Sequence, residues 1–495
     1  MRKENLCQQV LFSDRRNIME FDLSKKHCYY FNEISKIPRG SGNEKAVSDY
    51  IVAFAKERRL ACKQDDLFNV IIDKPATPGY EDSEPLILQA HIDMVCEKNG
   101  DSDHDFDKDP LELYVDDEGW LHAKGTTLGA DDGNGVAYMM AILDDNTLVH
   151  PALSCIFTAQ EEVGLVGAAH LTKEDLHGKR LINLDGGGGT VTCTSSAGGC
   201  RLRIYRFFKR VVSDGTGYHM LVKGLKGGHS GGSIHLERGN ANLIAARLLK
   251  ELKAEGIDVT LSAFNGGLKN NAIPREADVL FDSPSSEEIV IATVQNLAEK
   301  IRKELEFSDE GFTVEIEKME VTTCIDKESS DAFLNYLFLM PNGLMHRSMA
   351  IEGLTTASLN AGVVHTKEDH FMLDELVRSA LESDTDLLVA KLKTLADLLG
   401  MEVQERERYG GWAYSAKSPL RDTLAEVVKA HGKELVCKAT HGGLECGIFK
   451  ALDPDMDIIT YGPVSTGEHT PDEKLNLESF DESYQILCDV IKASC

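Results

Sequence analysis

Short apolar runs that each lead into acidic or histidine side chains constrain the fold of this chain more than any other feature. Runs of this length and composition are typical of buried strands in a mixed α/β sheet. Polar side chains at the ends of such strands are expected to face a site at the edge of the sheet. The runs and the residues after them are LILQA with His91 and Asp93, SCIFTAQ with Glu161 and Glu162, and RLINL with Asp185.

The glycine-rich stretch Leu128–Ala137 contains two adjacent carboxylates, Asp131 and Asp132. It lies between a predicted strand at Trp120–Ala123 and the apolar run Val136–Leu143, which is typical of a buried helix. Two neighbouring carboxylates held where a turn enters a helix repel each other unless a cation offsets their charge. We therefore predict that Asp131 bridges two metal ions.

The other ligands of this predicted metal site are isolated side chains at strand ends and in one Gly/Pro-rich loop near the C-terminus. Nitrogen and carboxylate ligands without cysteine suit Zn²⁺, Mn²⁺ or Co²⁺. Asp93 lies two residues after His91 on the same strand face, so it can accept the second ring N–H of a metal-bound imidazole. The candidate ligands are His91, Asp131, one of Glu161 and Glu162, Asp185 and His469.

His441 is a possible rival to His469 as a ligand. It is followed four residues later by Glu445, and the two side chains would share one face if this segment were helical. Gly442 and Gly443 favour a loop instead, because glycine destabilises a helix interior.

Composition narrows the possible partners and the cellular location. The net charge of −28 repels nucleic acids and anionic lipid surfaces. No apolar run is long enough to span a membrane, and the N-terminus has no apolar signal-peptide core, so we expect a cytoplasmic protein. The 12 cysteines include no CxxC pair, which argues against a disulfide framework or a structural zinc site.

The chain is too long for one core, and the pattern changes near residue 200. From there to about residue 410, strands alternate with amphipathic helices in two rounds, each typical of an α+β layer. We predict a discontinuous α/β core domain at residues 1–199 and 411–495, with a mixed sheet between helices. An inserted α+β domain of two similar halves is predicted at residues 200–410.

Several long motifs in colinear order make the chain similar to a known family. They are HIDMVCEKN, GTTLGADDGNGVA, TAQEEVGLVGA, LINLD, GGHSGGSIHLERGNAN, NNAIPREA, HGGLECGIF and GEHTPDE. The chain resembles the aminoacyl-histidine dipeptidases, the Xaa-His dipeptidase branch of the M20 metallopeptidases. The resemblance implies a di-metal catalytic domain interrupted by a lid domain that is enlarged in this branch.

The resemblance also implies a role for each candidate residue. His91 and Asp185 would hold one divalent ion, Glu162 and His469 would hold the other, and Asp131 would bridge them across a cis Asp131–Asp132 peptide. Asp93 would orient His91, and Glu161 would be the general base that activates water for attack on a peptide bond. His229 would stabilise the oxyanion from the lid. Candidate substrate contacts are Asn271, Arg275, which suits a free carboxylate, and Glu445.

Other functions remain open at this point. A nucleotide-binding module is disfavoured, because the glycine-rich loops match neither the Walker nor the GxGxxG pattern. A non-catalytic, metal-stabilised interaction protein is disfavoured by the retention of Glu161 beside Glu162. A tripeptidase, an acylamino-acid hydrolase or a dipeptidase of broad specificity stays possible. The small peptide substrate could be bound by a monomer or a homodimer, with His229 serving its own site or the partner's.

Overall fold

The structure is a computed structural model that describes residues 21–495. The expectation drawn from the first residues, that no signal peptide is present, concerns residues outside this range. Among the described residues, no helix combines the length and the apolar character that crossing a membrane requires.

The described residues form eleven α-helices and 25 strands, with short 3₁₀ helices at Lys173–Asp175 and Ile234–Leu236. The helices are α1 (Lys26–Ile34), α2 (Lys45–Glu57), α3 (Ala130–Leu143), α4 (Val166–His170), α5 (Ala241–Ala254), α6 (Glu287–Glu304), α7 (Lys327–Leu339), α8 (Glu382–Leu398), α9 (Pro419–Ala430), α10 (Glu445–Leu452) and α11 (Leu477–Ala493). The strands up to residue 212 are β1 (Ala61–Gln64), β2 (Val70–Lys74), β3 (Leu86–His91), β4 (Leu113–Val115), β5 (Trp120–Ala123), β6 (Leu153–Thr158), β7 (Arg180–Asn183), β8 (Val191–Cys193), β9 (Gly198–Phe207) and β10 (Arg210–Val212). The later strands are β11 (Thr216–Lys223), β12 (Gly228–His229), β13 (Thr260–Gly266), β14 (Ala272–Ile273), β15 (Ala277–Ser283), β16 (Thr313–Lys318), β17 (Thr323–Ile325), β18 (Gly343–Arg347), β19 (Thr355–Thr366), β20 (His370–Ser379), β21 (Glu402–Tyr409), β22 (Val436–Lys438), β23 (Asp457–Thr460), β24 (Ser465–Thr466) and β25 (Lys474–Asn476).

The chain divides into two compact units. The first unit contains residues 1–192, 418–436 and 457–495, and the second contains residues 193–417 and 437–456. The two boundaries nearest to those predicted lie at 192/193 and 417/418, compared with the predicted 199/200 and 410/411. Residues 437–456 belong to the second unit, although they were predicted within the catalytic domain. Their backbone pairs with residues 194–197 of that unit, for example from the Thr440 N–H to the Ser195 carbonyl.

The first unit is built on a six-stranded mixed sheet with the order β1-β2-β6-β3-β7-β23. Strands β6, β3, β7 and β23 run parallel, whereas β1 and β2 are antiparallel to their neighbours. Every residue of β3 and β6 is buried, so the sheet is covered on both faces. Helices α1, α2, α3, α9 and α11 share one hydrophobic core with it. The mixed α/β sheet between helices is therefore confirmed.

The second unit is built on a nine-stranded sheet whose main order is β16-β11-β15-β13-β19-β20-β9-β21, with β18 paired to β19. When the four strands of each half are numbered 1 to 4 in chain order, the first half is arranged in the sheet as 4-1-3-2 and the second half as 2-3-1-4. Each half is accompanied by two helices, α5 and α6 for one and α7 and α8 for the other. The mirrored order supports the prediction of two similar halves, which meet where β13 pairs with β19.

The residues before α2 show a local motif that serves another purpose. Ser41 and Glu44 match the sequence pattern of a capping box, but α2 begins at Lys45 with no side-chain cap. The Glu44 carboxylate accepts the N–H of Gly42, and the Ser41 hydroxyl donates to Asp93 at 2.8 Å. Ser41 is thus part of the environment of the candidate site.

Candidate metal centre

The carboxyl ends of β3, β6 and β7 lie at one edge of the first unit's sheet, because these strands are parallel neighbours. His91 is the last residue of β3, Glu161 and Glu162 follow β6, and Asp185 follows β7. Three side chains at this edge, His91, Asp131 and Asp185, have ligand atoms that all lie within 4.8 Å of one another.

A second group of the same kind consists of Asp131, Glu162 and His469. His469 Nε2 lies 3.0 Å from Glu162 Oε1 and 3.3 Å from Asp131 Oδ2, while His91 Nε2 lies 2.9 Å from Asp131 Oδ1. Asp131 therefore directs one carboxylate oxygen to each group. Its peptide bond to Asp132 is cis, as the resemblance implied.

Asp93 connects His91 to the turn that carries Glu161 and Glu162. His91 Nδ1 lies 3.2 Å from the backbone oxygen of Asp93 and 3.5 Å from its Oδ1. The same carboxylate accepts hydrogen bonds from the N–H of Glu161 at 3.0 Å and of Glu162 at 3.2 Å, and from the Ser41 hydroxyl. Asp93 thus orients the imidazole of His91 and fixes the turn that carries both glutamates.

Glu473, a buried residue that the sequence did not indicate, braces the backbone around Asp131 by accepting hydrogen bonds from it. The carboxylate of Glu473, which is 2% exposed, accepts the N–H groups of Leu128, Gly129, Ala130 and Asp131 at 2.8, 2.9, 2.8 and 3.3 Å. Glu473 lies four residues after His469, so one loop supplies a candidate ligand and holds the backbone of the shared aspartate. Glu473 lies 342 positions after Asp131 in the sequence, so no local sequence pattern could predict this contact.

A second buried side chain, Arg39, donates hydrogen bonds to backbone carbonyl groups of the same region. Its guanidinium donates to the carbonyl oxygens of Ile92, Asp93 and Gly129. These bonds connect the end of β3 to the start of α3. Arg39 and Glu473 together leave the turn little freedom to move.

The protonation of the site shows the charge that it has to offset. Burial opposes charge on His91, but its bonds to Asp131 and Asp93 outweigh burial and hold its pKa well above the usual value. Hydrogen bonds with Asp131 and Glu162 raise the pKa of His469 to about 10. Burial and the charge of Asp131 raise the pKa of Asp185 well above its usual range.

These shifts fit a cation site. All three shifts have the same physical cause, the crowding of buried carboxylates around Asp131, which favours any positive charge or proton nearby. Divalent ions would supply that positive charge and leave the imidazoles neutral, the form in which histidine binds metal. The donor set of imidazoles and carboxylates without cysteine suits Zn²⁺, Mn²⁺ or Co²⁺.

The second unit contains a separate cluster around His229. The ring Nδ1 accepts the N–H groups of Gly231 at 3.3 Å and Gly232 at 3.0 Å. Burial and the nearby guanidinium of Arg378 lower the pKa of His229. His229 is therefore neutral at neutral pH, and its proton sits on Nε2, where it can be donated.

Arg378 was not nominated from the sequence, yet it is the most deeply buried cation of this cluster, at 5% exposure. Its guanidinium donates to the Tyr409 hydroxyl at 3.2 Å and to the Ser230 hydroxyl at 3.4 Å. Within the second unit no carboxylate forms an ion pair with it. A buried guanidinium without a carboxylate partner is suited to an anionic ligand.

The rival ligand His441 belongs to the same unit as His229. It is buried, its Nε2 lies 2.7 Å from the Ser358 hydroxyl, and burial together with Arg378 lowers its pKa to about 3. Helix α10 begins only at Glu445, so the pair does not share a helical face. Gly442 and Gly443 lie in a loop, as predicted.

The three predicted substrate contacts also lie in the second unit. The backbone oxygen of Asn271 accepts the N–H of Ser230, next to His229. Arg275 is exposed, and its Nε donates to the Leu225 carbonyl. Glu445 is fully buried as the first residue of α10.

The mixed sheet and the clustered candidate ligands are those of a metal-dependent hydrolase, and comparisons with known proteins agree. The chain belongs to peptidase family M20/M25/M40, whose model matches residues 87–493. It is therefore a peptidase, and the predicted resemblance to aminoacyl-histidine dipeptidases is confirmed.

Two relatives match nearly the whole chain. The cytosol non-specific dipeptidase of Escherichia coli is 37% identical over 467 residues, 93% of this chain and 96% of the relative. The crystal structure of aminoacylhistidine dipeptidase from Vibrio alginolyticus matches with a TM-score of 0.87 and 34% identity, over 94% of this chain and 96% of that one. Aminopeptidase PepT from Bacillus cereus shares only the fold, at 15% identity, a TM-score of 0.56 and coverage of 96% of this chain and 99% of that one.

Proposed function

We propose that this peptidase hydrolyses dipeptides, with a preference for Xaa-His, at a centre of two divalent metal ions. The observation that carries the proposal is the position of Asp131, which directs one oxygen to each of two ligand groups. His91 and Asp185 would complete one ion's site, and Glu162 and His469 the other. Zn²⁺ is the proposed native ion, and Mn²⁺ or Co²⁺ would suit the same donors.

Glu161 is the proposed general base. Two bound divalent ions would polarise the peptide carbonyl and lower the pKa of the attacking water. The Glu161 carboxylate would take a proton from that water and then deliver it to the leaving amine. Its neighbour Glu162 serves as a ligand in this proposal, and Asp93 holds both glutamates through their backbone N–H groups.

His229 is the proposed donor to the oxyanion. Because its Nδ1 accepts two backbone N–H groups, the neutral ring presents its proton on Nε2. A neutral donor of this kind stabilises negative charge that develops on the carbonyl oxygen. Whether His229 serves its own chain or a partner's depends on whether the protein is a monomer or a homodimer.

Arg378, rather than Arg275, is the proposed acceptor of the substrate's free carboxylate. Arg275 is exposed and donates to a backbone carbonyl, whereas Arg378 is buried and, within the described part of the chain, bonds to two hydroxyl groups. An arginine fork matches a carboxylate geometrically, and its value rises when water is excluded. Asn271 and Glu445 remain candidate contacts.

The relatives suggest two substrate ranges. One is named an aminoacylhistidine dipeptidase and the other a non-specific dipeptidase, so a broad dipeptidase is the second candidate function. The same names support a small peptide substrate and a cytoplasmic location. A net charge of −28 supports the absence of nucleic acid and anionic membrane partners.

The test is a peptide panel on metal-depleted and reconstituted enzyme. We expect no activity after chelation and recovery with two equivalents of Zn²⁺, Mn²⁺ or Co²⁺ per chain. Ala-His and β-Ala-His should be cleaved faster than dipeptides that end in other residues, and tripeptides or N-acyl amino acids much more slowly. Equal rates across dipeptides would favour the broad dipeptidase, and hydrolysis that survives full chelation would overturn the metal mechanism.

A further inference from the structure

A cavity of about 430 Å³ in the first unit adjoins the candidate metal centre, because Glu162 forms part of its wall. Its volume falls within the range of about 300–1,000 Å³ that is typical of small-molecule pockets. Ser41, which donates to Asp93, also lines the cavity, and the side chains considered next have no role in the site described above. The lining includes the apolar side chains Met94, Cys96, Phe106 and Val163 and the carboxylate Asp107.

The apolar part of the lining is incompletely covered. Val163, directly after the two glutamates, is 59% exposed, although a β-branched apolar side chain gains stability from burial. Met94, in contrast, is almost fully buried and is fixed by its N–H bond to the Arg39 carbonyl. A ligand that carries an apolar side chain would cover Val163 against this fixed wall.

The charge of the cavity is negative. Of residues 21–495, Asp107 and Glu162 are the two charged residues that line it, and no Lys, Arg or His of that range does. The cations closest to Asp107 in sequence are engaged elsewhere: Lys108 pairs with Asp105, and Lys98 donates to the His104 carbonyl. Among the described residues, Asp107 forms no ion pair, and its side chain is exposed, so its carboxylate can meet a cationic ligand.

We propose that this cavity binds the N-terminal residue of the substrate, with an apolar side chain against Met94, Phe106 and Val163 and the α-ammonium group facing Asp107. The proposal rests on the proposed dipeptidase function and defines its substrate class. A carboxylate would be repelled here, so the cavity cannot take the C-terminal end of the peptide. The favoured substrates are therefore dipeptides with a free amino group and an apolar first residue, and Glu-His or Asp-His should be poor.

The experiment compares Leu-His, Gly-His, Glu-His and 4-methylpentanoyl-His, which has the leucyl shape without the amino group. For the wild type, we expect kcat/KM to be higher for Leu-His than for each of the other three compounds. Asp107→Asn should raise KM for Leu-His about tenfold, in the range measured for one charge-assisted hydrogen bond, with kcat within twofold. The same variant should not change the kinetics of 4-methylpentanoyl-His, because that compound has no ammonium group to lose.

Asp103→Asn is the matched control, since Asp103 lies in the same loop but does not line the cavity. It should leave every KM unchanged. Phe106→Ala should lower the ratio of kcat/KM for Leu-His to that for Gly-His about tenfold, as the loss of a large apolar contact predicts. Equal KM values for Asp107→Asn and Asp103→Asn, or an unchanged Leu-His to Gly-His ratio, would overturn the proposal. Failure of the wild type to cleave any of the peptides would instead refute the proposed function.

Discussion

Asp93 in the first unit and Glu375 in the second are both carboxylates with 0% exposure, yet their surroundings are opposite. Asp93 accepts hydrogen bonds from the Ser41 hydroxyl and from the N–H groups of Glu161 and Glu162. Burial alone would raise its pKa, but His91 and these donors outweigh burial and hold the pKa below the usual value. Neither oxygen of Glu375 has a hydrogen-bond partner among the described residues, and burial raises its pKa well above the usual value.

The two carboxylates differ in whether their surroundings stabilise the charged form. At the candidate metal centre, Asp93 is surrounded by N–H and hydroxyl donors and an imidazole, which favour its charged form. In the core of the second unit, Glu375 is a neutral acid that contributes no ion pair and adds an unsatisfied polar group. Burial of an acidic group therefore indicates a functional role only when hydrogen-bond donors or imidazoles surround the group. The following substitutions test that distinction.

Glu161→Gln should have the largest effect. Removing the proposed base while keeping its size should lower kcat by about 10²–10⁴-fold, the range associated with general-base catalysis. Metal content should stay at two ions per chain, because the glutamine does not alter the proposed ligand set. Steady-state kinetics with elemental analysis of the same sample would check both. Wild-type kcat in this variant would remove Glu161 from the mechanism.

His229→Ala should follow, with a loss of about 10²–10³-fold in kcat, as for removal of an oxyanion donor. Because the donor acts on charge that develops during the reaction, KM should change much less than kcat. His235→Ala is the matched control, as another histidine of the same segment that contacts neither glycine N–H. Loss of metal from His229→Ala would make it a ligand and contradict its proposed role.

Glu473→Gln should weaken metal binding without removing a ligand. The glutamine can no longer accept four backbone N–H groups around Asp131, so the shared aspartate loses its fixed position. Losing a partner outside the ligand set typically reduces metal affinity about 10–100-fold. Titration of the metal-depleted protein with Co²⁺, followed by calorimetry and absorption, would measure this change.

Asp457→Asn is the control for Glu473→Gln, because Asp457 also accepts a backbone N–H, at the start of α9. It lies at the amino end of β23, away from the strand ends that carry the ligands. It should lower stability without weakening Co²⁺ binding. Equal Co²⁺ affinity in wild type and Glu473→Gln would show that the brace is structural only.

The sequence was sufficient for the elements that depend on local pattern. Strand β5 begins and ends where the predicted strand does, and the positions of His91 and Asp185 after β3 and β7 follow from apolar runs that stop at polar residues. It was insufficient where a side chain serves a distant partner. Ser41 matches a helix cap but donates to Asp93, and Glu473 braces a turn more than 340 residues away. Both depend on tertiary contacts that no window of sequence contains.

Glu375→Met should have the smallest effect, and its sign is opposite to that of the other changes. Replacing an unpartnered buried acid by an apolar side chain of similar length removes a desolvation penalty of about 1–3 kcal/mol, so the second unit should become more stable. The gain should grow with pH. In the folded protein the pKa of Glu375 lies above 4.5, the ordinary value that holds in the unfolded chain. Below pH 4.5 the side chain is protonated in both states, so its ionisation does not lower the free energy of unfolding. As the pH rises from there toward the raised pKa, the free energy of unfolding falls.

The pH series separates titration from packing. Calorimetric unfolding from pH 5 upward should show the wild type losing stability relative to Glu375→Met as the pH rises, by at most about 1.4 kcal/mol per pH unit while the pH stays below the raised pKa of Glu375. Glu375→Gln keeps an unsatisfied polar group but cannot titrate, so it should remain less stable than the methionine variant by a constant margin. If the wild type and Glu375→Met keep the same difference at every pH, then Glu375 is ionised in the folded protein. Its carboxylate would then have to be stabilised as Asp93 is, and the contrast between the two units would not hold.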